Sequence, residues 1–142
     1  MTDGPYSEID PDEVGLAHEL TEIQQREVRN LTLLCVEEDL GVETSAQIDK
    51  WGVQKHPSIY PSMVGDMSPT ARYALQSELR WKRQYEDDVR KGNTNWGTIL
   101  LEEVAEAITE ASKGESEELY EEVVQVAAVA MQWAACVRER IE

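Results

Sequence analysis

Positive charge is scarce in this chain: 13 Lys and Arg face 29 Asp and Glu over 142 residues, a formal net charge of −16. A nucleic-acid duplex or an anionic membrane needs a basic face, so neither is an expected partner. Long hydrophobic runs are also missing. No stretch approaches the roughly 20 apolar residues of a membrane span, and Met1-Thr2-Asp3-Gly4-Pro5 lacks the basic and apolar regions of a secretory signal. A soluble, cytoplasmic protein is expected. Only Cys35 and Cys136 carry thiols. Both sit in apolar helical surroundings without Cys-x-x-Cys spacing, which predicts two buried thiols and neither a disulfide nor a zinc site.

Histidine is equally sparse. Neither His18 nor His56 follows a Glu at the Glu-x-x-His spacing of a di-iron carboxylate bundle, and no Ser-His-Asp set, P-loop or dinucleotide fingerprint is present. Repeats and low-complexity tracts are absent. No period-2 alternation persists beyond a few residues, so the chain reads as all-α, with a four-helix bundle the natural way to bury its apolar stripes. A chain of this length can bury a core without metal or disulfide staples.

What is present begins with helix signals. Residues 1–9 read as a flexible tail ahead of one all-α domain over 10–142. Asp10-Pro11-Asp12-Glu13 places a capping carboxylate, a proline at the first helical position and a Glu in the first turn. Leu16, Leu20, Ile23, Val28, Leu31, Leu34 and Cys35 then recur at near-helical spacing, predicting a first helix to about Glu38 with Gly41 as its stop. Residues 44–50 read as a short helical piece, followed by a breaker-rich loop from Trp51 through Gly65. Ser68-Pro69 opens a solvated helix ending before Gly92. Asn93, Thr94 or Asn95 caps a third helix, Trp96 to Ser112, and Ser116 caps a fourth.

The acids are concentrated, with nine Glu and one Lys over residues 102–122, whereas residues 72–91 carry six basic and four acidic side chains. At about 100° per residue, the third helix sets Leu100, Leu101, Val104, Ala107, Ile108 and Ala111 on one stripe, while Glu103, Glu106 and Glu110 share another side. On the fourth helix the stripe is Leu119, Val123, Val126, Ala127, Ala130, Ala134, Val137 and Ile141, flanked by Glu118, Glu122, Gln125 and Trp133. A short turn between the helices predicts an antiparallel hairpin that brings the acidic flanks together. Like charges at these spacings cost a few tenths of a kcal/mol each on a bare helix. A divalent cation would remove that cost, and an all-oxygen site suits Mg²⁺ or Mn²⁺ better than zinc or copper. The competing reading is a solvated acid-rich face.

The run Glu102-Glu103-Val104-Ala105-Glu106, then fifteen residues, then Glu122-Val123-Val124-Gln125 resembles the E-E-x-x-E…E-x-x-D signature of MazG-like all-α nucleoside triphosphate pyrophosphohydrolases. Trp96 before Ile99 to Val104, the Glu122 to Ala130 segment, and Lys50-Trp51-Gly52-Val53-Gln54-Lys55-His56-Pro57 look like a bacterial and phage branch of that family. The resemblance spans roughly residues 44–138, leaving the first helix, about 10–40, as an added element. It implies a four-helix-bundle-like fold assembling as a homodimer or homotetramer. It also implies metal-dependent cleavage of a (d)NTP to monophosphate and pyrophosphate. By the same resemblance Glu103, Glu106, Glu122 and Gln125 are the candidate ligands for Mg²⁺ or Mn²⁺, and Glu102 with Glu103 would carry catalysis, Glu102 supporting the site or activating water. One position departs from the pattern: Gln125 stands where the family has Asp, which keeps an amide oxygen but removes a negative charge.

Candidate substrate contacts are Lys50, Gln54 and His56 in the loop and Arg80 on the basic helix, which also offers Arg72, Lys82 and Arg83. Trp51 and Trp96 offer faces on which a base can stack. The plainer alternatives are surface ion pairs and tryptophans packed under a loop. For the chain as a whole, the alternative to an enzyme is an inactive helical module that binds a nucleotide or a protein.

Overall fold

The computed structural model describes residues 11–58 and 69–141, with the backbone alone for 11–20, 70, 71 and 74. Four helices account for nearly all of it: α1 (Pro11–Trp51), α2 (Pro69–Lys91), α3 (Trp96–Ala111) and α4 (Glu117–Ile141). There is no strand among the described residues, in keeping with the all-α expectation. None of the described helices is long and apolar enough to cross a membrane. The tail at 1–9, the Asp10 cap, the Ser68 cap and loop residues 59–65 lie outside the described residues.

Local signals explain most of the helix ends. Asn95 is the N-cap of α3, its Oδ1 accepting from the Thr98 N–H at 2.9 Å, which satisfies one of the first-turn donors. Ser116 does the same for α4, its Oγ accepting from the Leu119 N–H at 3.1 Å. Glu117 and Glu118 occupy the first turn of α4 and Arg138 and Arg140 the last, each charge favourable to the helix dipole at its end.

The first helix differs from expectation. It does not stop near Gly41 but runs unbroken to Trp51, about 60 Å at 1.5 Å per residue, absorbing the piece expected at 44–50. A glycine ends a helix only when it turns left-handed. Gly41 keeps helical geometry, while Gly52 takes φ 71° and returns its N–H to the Ile48 carbonyl at 2.7 Å. Gly41 has nothing within 4 Å of an added Cβ. Gly41→Ala should therefore stabilise the protein by about 0.5–1 kcal/mol, read as a rise in melting temperature of a few degrees.

Packing runs in a row, α2 on α3, α3 on α4 and α4 on α1, and α1 makes no close backbone approach to α2 among the described residues. The contacts are built mostly from small side chains: among the described residues, Ala105, Ala107 and Ala111 on α3, Leu119 and Ala135 on α4, and Val36 on α1 are the buried apolar ones. Ala105 lies off the expected α3 stripe. It is buried because α3 is covered on two sides, by α2 and by α4, whereas periodicity reveals a single stripe. A fork of hydrogen bonds from Arg29 Nε and Nη2 to the Glu139 carboxylate, 2.7 and 3.0 Å, ties α1 to α4. Arg138 reaches Asp39 at 2.9 Å in the same seam.

Two expectations of burial fail within the chain. Cys35 is exposed and Cys136 only half-buried, both as free thiols, because the α1 face that carries Cys35 has nothing packed on it. Much of the expected α4 stripe is open as well: Val123, Ala127, Ala130, Ala134, Val137 and Ile141 are all exposed.

Candidate metal centre

The antiparallel α3–α4 hairpin brings the two acidic flanks together. Glu103 and Glu106 from α3 and Glu122 from α4 each offer a carboxylate oxygen, and the three oxygens lie within 4.8 Å of one another. All three side chains are half-buried. Glu103 Oε2 is fully buried without a hydrogen-bond partner, a position that costs about 1–3 kcal/mol for an unpaired polar group. The Glu103 carboxyl is pushed above its ordinary range, first by burial and then by the charges of Glu106, Glu122 and Glu102. Glu122 is raised in the same way, by burial and then by Glu106 and Glu110. Like charges in a partly desolvated space raise one another's proton affinity. A cation there would reverse that cost, so the donor set fits a divalent metal held by oxygen.

The two adjacent glutamates of the α3 motif diverge because consecutive helical residues are 100° apart. Glu103 turns toward Glu122 on α4. Glu102 turns toward α2, where burial and Glu106 raise its carboxyl, with Lys82 opposing and Glu86 and Glu78 adding to the rise. Gln125, one turn after Glu122, places Nε2 3.5 Å from Glu122 Oε2, so its amide presents an N–H to the cluster.

A cation from the chain itself already stands beside the acids. Lys82 Nζ on α2 lies 2.9 Å from Glu106 Oε1 and 3.0 Å from Glu78 Oε1. These hydrogen bonds hold the Lys82 ammonium well above its ordinary range. Glu78 thereby joins the site, a role that the sequence barely signals. Its signal was the i,i+4 pairing with Lys82, which reads as an ordinary surface pair until α2 is laid against α3.

The remaining expected contacts are spread over the molecule. Lys50 lies over the Trp51 ring, 4.8 Å from its centroid, and His56 Nε2 lies 3.3 Å from Gln54 Oε1, all four residues exposed. Lys50 and Trp51 close the last turn of α1, contrary to the expectation that they belong to the loop; the loop after them, with Gln54 and His56, is anchored near the acidic hairpin, since the Ser58 N–H donates to Glu115 at 3.1 Å in the α3–α4 turn. Arg80 lies against its neighbour Trp81, 5.5 Å from the ring centroid. Trp96 opens α3, ten residues or about 15 Å of helix from Glu106. There it lines a cavity of about 670 Å³ with Asn95, Ile99, Trp133 and Arg140. A roomier groove, about 820 Å³, lies between α1 and α4 and includes none of the three glutamates.

No protein-family model, curated protein or solved structure matches this chain. The site is therefore defined by its own geometry: a three-glutamate cluster that can hold a metal ion, on an all-α four-helix scaffold.

Proposed function

We propose that this chain is a metal-dependent nucleoside triphosphate pyrophosphohydrolase, releasing a monophosphate and pyrophosphate. The observation that carries the proposal is the meeting of Glu103, Glu106 and Glu122 from two helices, with Glu103 Oε2 buried and unpartnered, at positions of the E-E-x-x-E…E pattern. Glu103, Glu106 and Glu122 would hold Mg²⁺ or Mn²⁺, with the Gln125 amide oxygen available after rotation of its side chain. When bound, the metal supplies charge to clamp phosphate oxygens and lowers the pKa of attacking water.

The chain's own groups do the rest. A polyanionic triphosphate would be repelled by bare carboxylates, and Lys82 stands where it can meet a phosphate oxygen after leaving Glu78. Glu102 is held above its ordinary pKa by burial and by Glu106, which makes its carboxylate the more basic proton acceptor for a water molecule. The end of α1, with Lys50 and Trp51, and the loop after it, with Gln54 and His56, supply polar and aromatic contacts to the nucleoside, the loop being anchored to the α3–α4 turn through Ser58 and Glu115.

The test is pyrophosphate release from a panel of ribo- and deoxyribonucleoside triphosphates with Mg²⁺ or Mn²⁺, beside an EDTA control. Monophosphate plus pyrophosphate, absent with EDTA, is the expected result. No product from any triphosphate would transfer the reading to a binding module, for which the Gln125 amide beside Glu122 would be the structural mark.

A further inference from the structure

We infer that the cavity between the first turn of α3 and the end of α4 is a second ligand site, apart from the glutamate cluster, that takes a small molecule in which a planar aromatic ring is joined to an anionic group.

The sequence sets the chemistry of its walls. Trp96 and Ile99 are three residues apart on α3, and Trp133 and Arg140 seven apart on α4, spacings that put each pair on one side of its helix. The antiparallel hairpin turns both sides toward one space of about 670 Å³, completed by Thr94 and Asn95 from the connection before α3. Clefts of about 300–1,000 Å³ hold small organic ligands. Trp96 is half-buried and Trp133 is 37% exposed, so two indoles leave ring surface open beside the same cavity. Such surfaces favour stacking on another flat ring.

Charge selects the rest of the ligand. Acids make up 29 of the 142 residues, yet none lines this cavity. Arg140 does, and it pairs with no acid among the described residues. The charged residues nearest to it in α4 are engaged elsewhere, Glu139 by Arg29 and Arg138 by Asp39. A free guanidinium beside aromatic rings suits a phosphate or a carboxylate, which it can meet with a fork of hydrogen bonds. The wall is also set in advance. Asn95 Oδ1 accepts from the Thr98 N–H at 2.9 Å, and its Nδ2 donates to Asp88 Oδ2 at 3.3 Å, so a ligand need not order that side of the cavity.

The cavity is separate from the metal centre. Trp133 lies eleven residues beyond Glu122 on α4, about 16 Å of helix, and Arg140 about 27 Å. An anion held by Arg140 is thus out of reach of the three glutamates, none of which lines the cavity. The inference stands whether or not the chain cleaves a triphosphate.

The test follows the indole N–H resonances of the four tryptophans, Trp51, Trp81, Trp96 and Trp133, in the nitrogen-labelled full chain with EDTA to keep metal away. Adenosine monophosphate and indoleacetate are the probes, a ring with a phosphate and a ring with a carboxylate. Adenosine and inorganic phosphate each carry half of that chemistry. At millimolar concentration one or both aromatic anions should move the Trp96 and Trp133 resonances and leave Trp51 and Trp81 in place. The tighter of the two tells a nucleotide ligand from an aromatic acid. Adenosine and phosphate should bind about tenfold more weakly than that anion, and Arg140→Gln should cost the anion about tenfold, the size of one charge-assisted hydrogen bond. Helix content should be unchanged in the variant, since Arg140 is exposed in the last turn of α4. Trp96 and Trp133 unmoved by both anions, adenosine or phosphate binding as tightly as the anions, or unchanged affinity in Arg140→Gln would overturn the inference.

Discussion

Glu103→Gln is expected to raise the melting temperature of the metal-free protein and to abolish its response to Mn²⁺. In the metal-free state the substitution removes a charge that opposes Glu106 and Glu122. Each such repulsion costs a few tenths of a kcal/mol, so the gain is about 0.5–1 kcal/mol, or roughly 2–4 °C. With Mn²⁺ at a hundred times its Kd, wild type should gain about 2.7 kcal/mol, roughly 8–10 °C, and the variant almost none. An intact Mn²⁺ shift in Glu103→Gln would sink the metal centre. The pH dependence has a definite sign. Because Glu102, Glu103 and Glu122 are raised in the folded state, the fold binds their protons more tightly than the unfolded chain. Their contribution to stability is full below the ordinary carboxylate pKa of about 4.3 and is lost as pH rises through the raised values. Other carboxylates act oppositely: Glu139, lowered by its hydrogen bond from Arg29, loses its contribution as pH falls. The informative quantity is therefore wild type minus Glu103→Gln, measured in EDTA between pH 4 and 7, which should shrink on acidification.

Lys82→Met should act with the opposite sign on the metal-free fold and increase affinity for metal. Lys82 is the cation between Glu78 and Glu106. Its side chain is 43% exposed, so solvent screening limits the stability lost with it to about 1 kcal/mol. Removing it leaves the acidic cluster one charge more negative. A gain of about tenfold in Mn²⁺ affinity corresponds to about 1.4 kcal/mol, which a unit charge a few ångströms away supplies even at a surface-like dielectric. Calorimetric titration with Mn²⁺ alone reads this without any substrate. Unchanged or weaker binding would show that Lys82 orients Glu106 for the metal and does not compete with it. The pair of substitutions separates two effects of charge: one removes a ligand, the other removes a rival.

The sequence by itself determined the helical class, the start of α4 at Ser116, the start of α3 to within Asn93, Thr94 or Asn95, and the acidic flanks that meet across the hairpin. These are local properties: capping chemistry, a period of 3.6 residues, and a connection too short to let α3 and α4 diverge. Gly41 was illegible for a related reason. A glycine permits a left-handed turn without requiring one, and only the backbone shows which glycine took it. Tertiary structure alone decided that Glu102 faces α2 while Glu103 faces α4, that Glu78 and Lys82 join the cluster, and that Ala105 is buried while Cys35 is open. Each of these depends on which helix lies against which side, and the period of a stripe carries no information about its neighbour. The exposed Ala134, Val137 and Ile141 stripe is the clearest instance: the sequence states that it must be covered, and the fold of one chain shows that α1 covers only part of it.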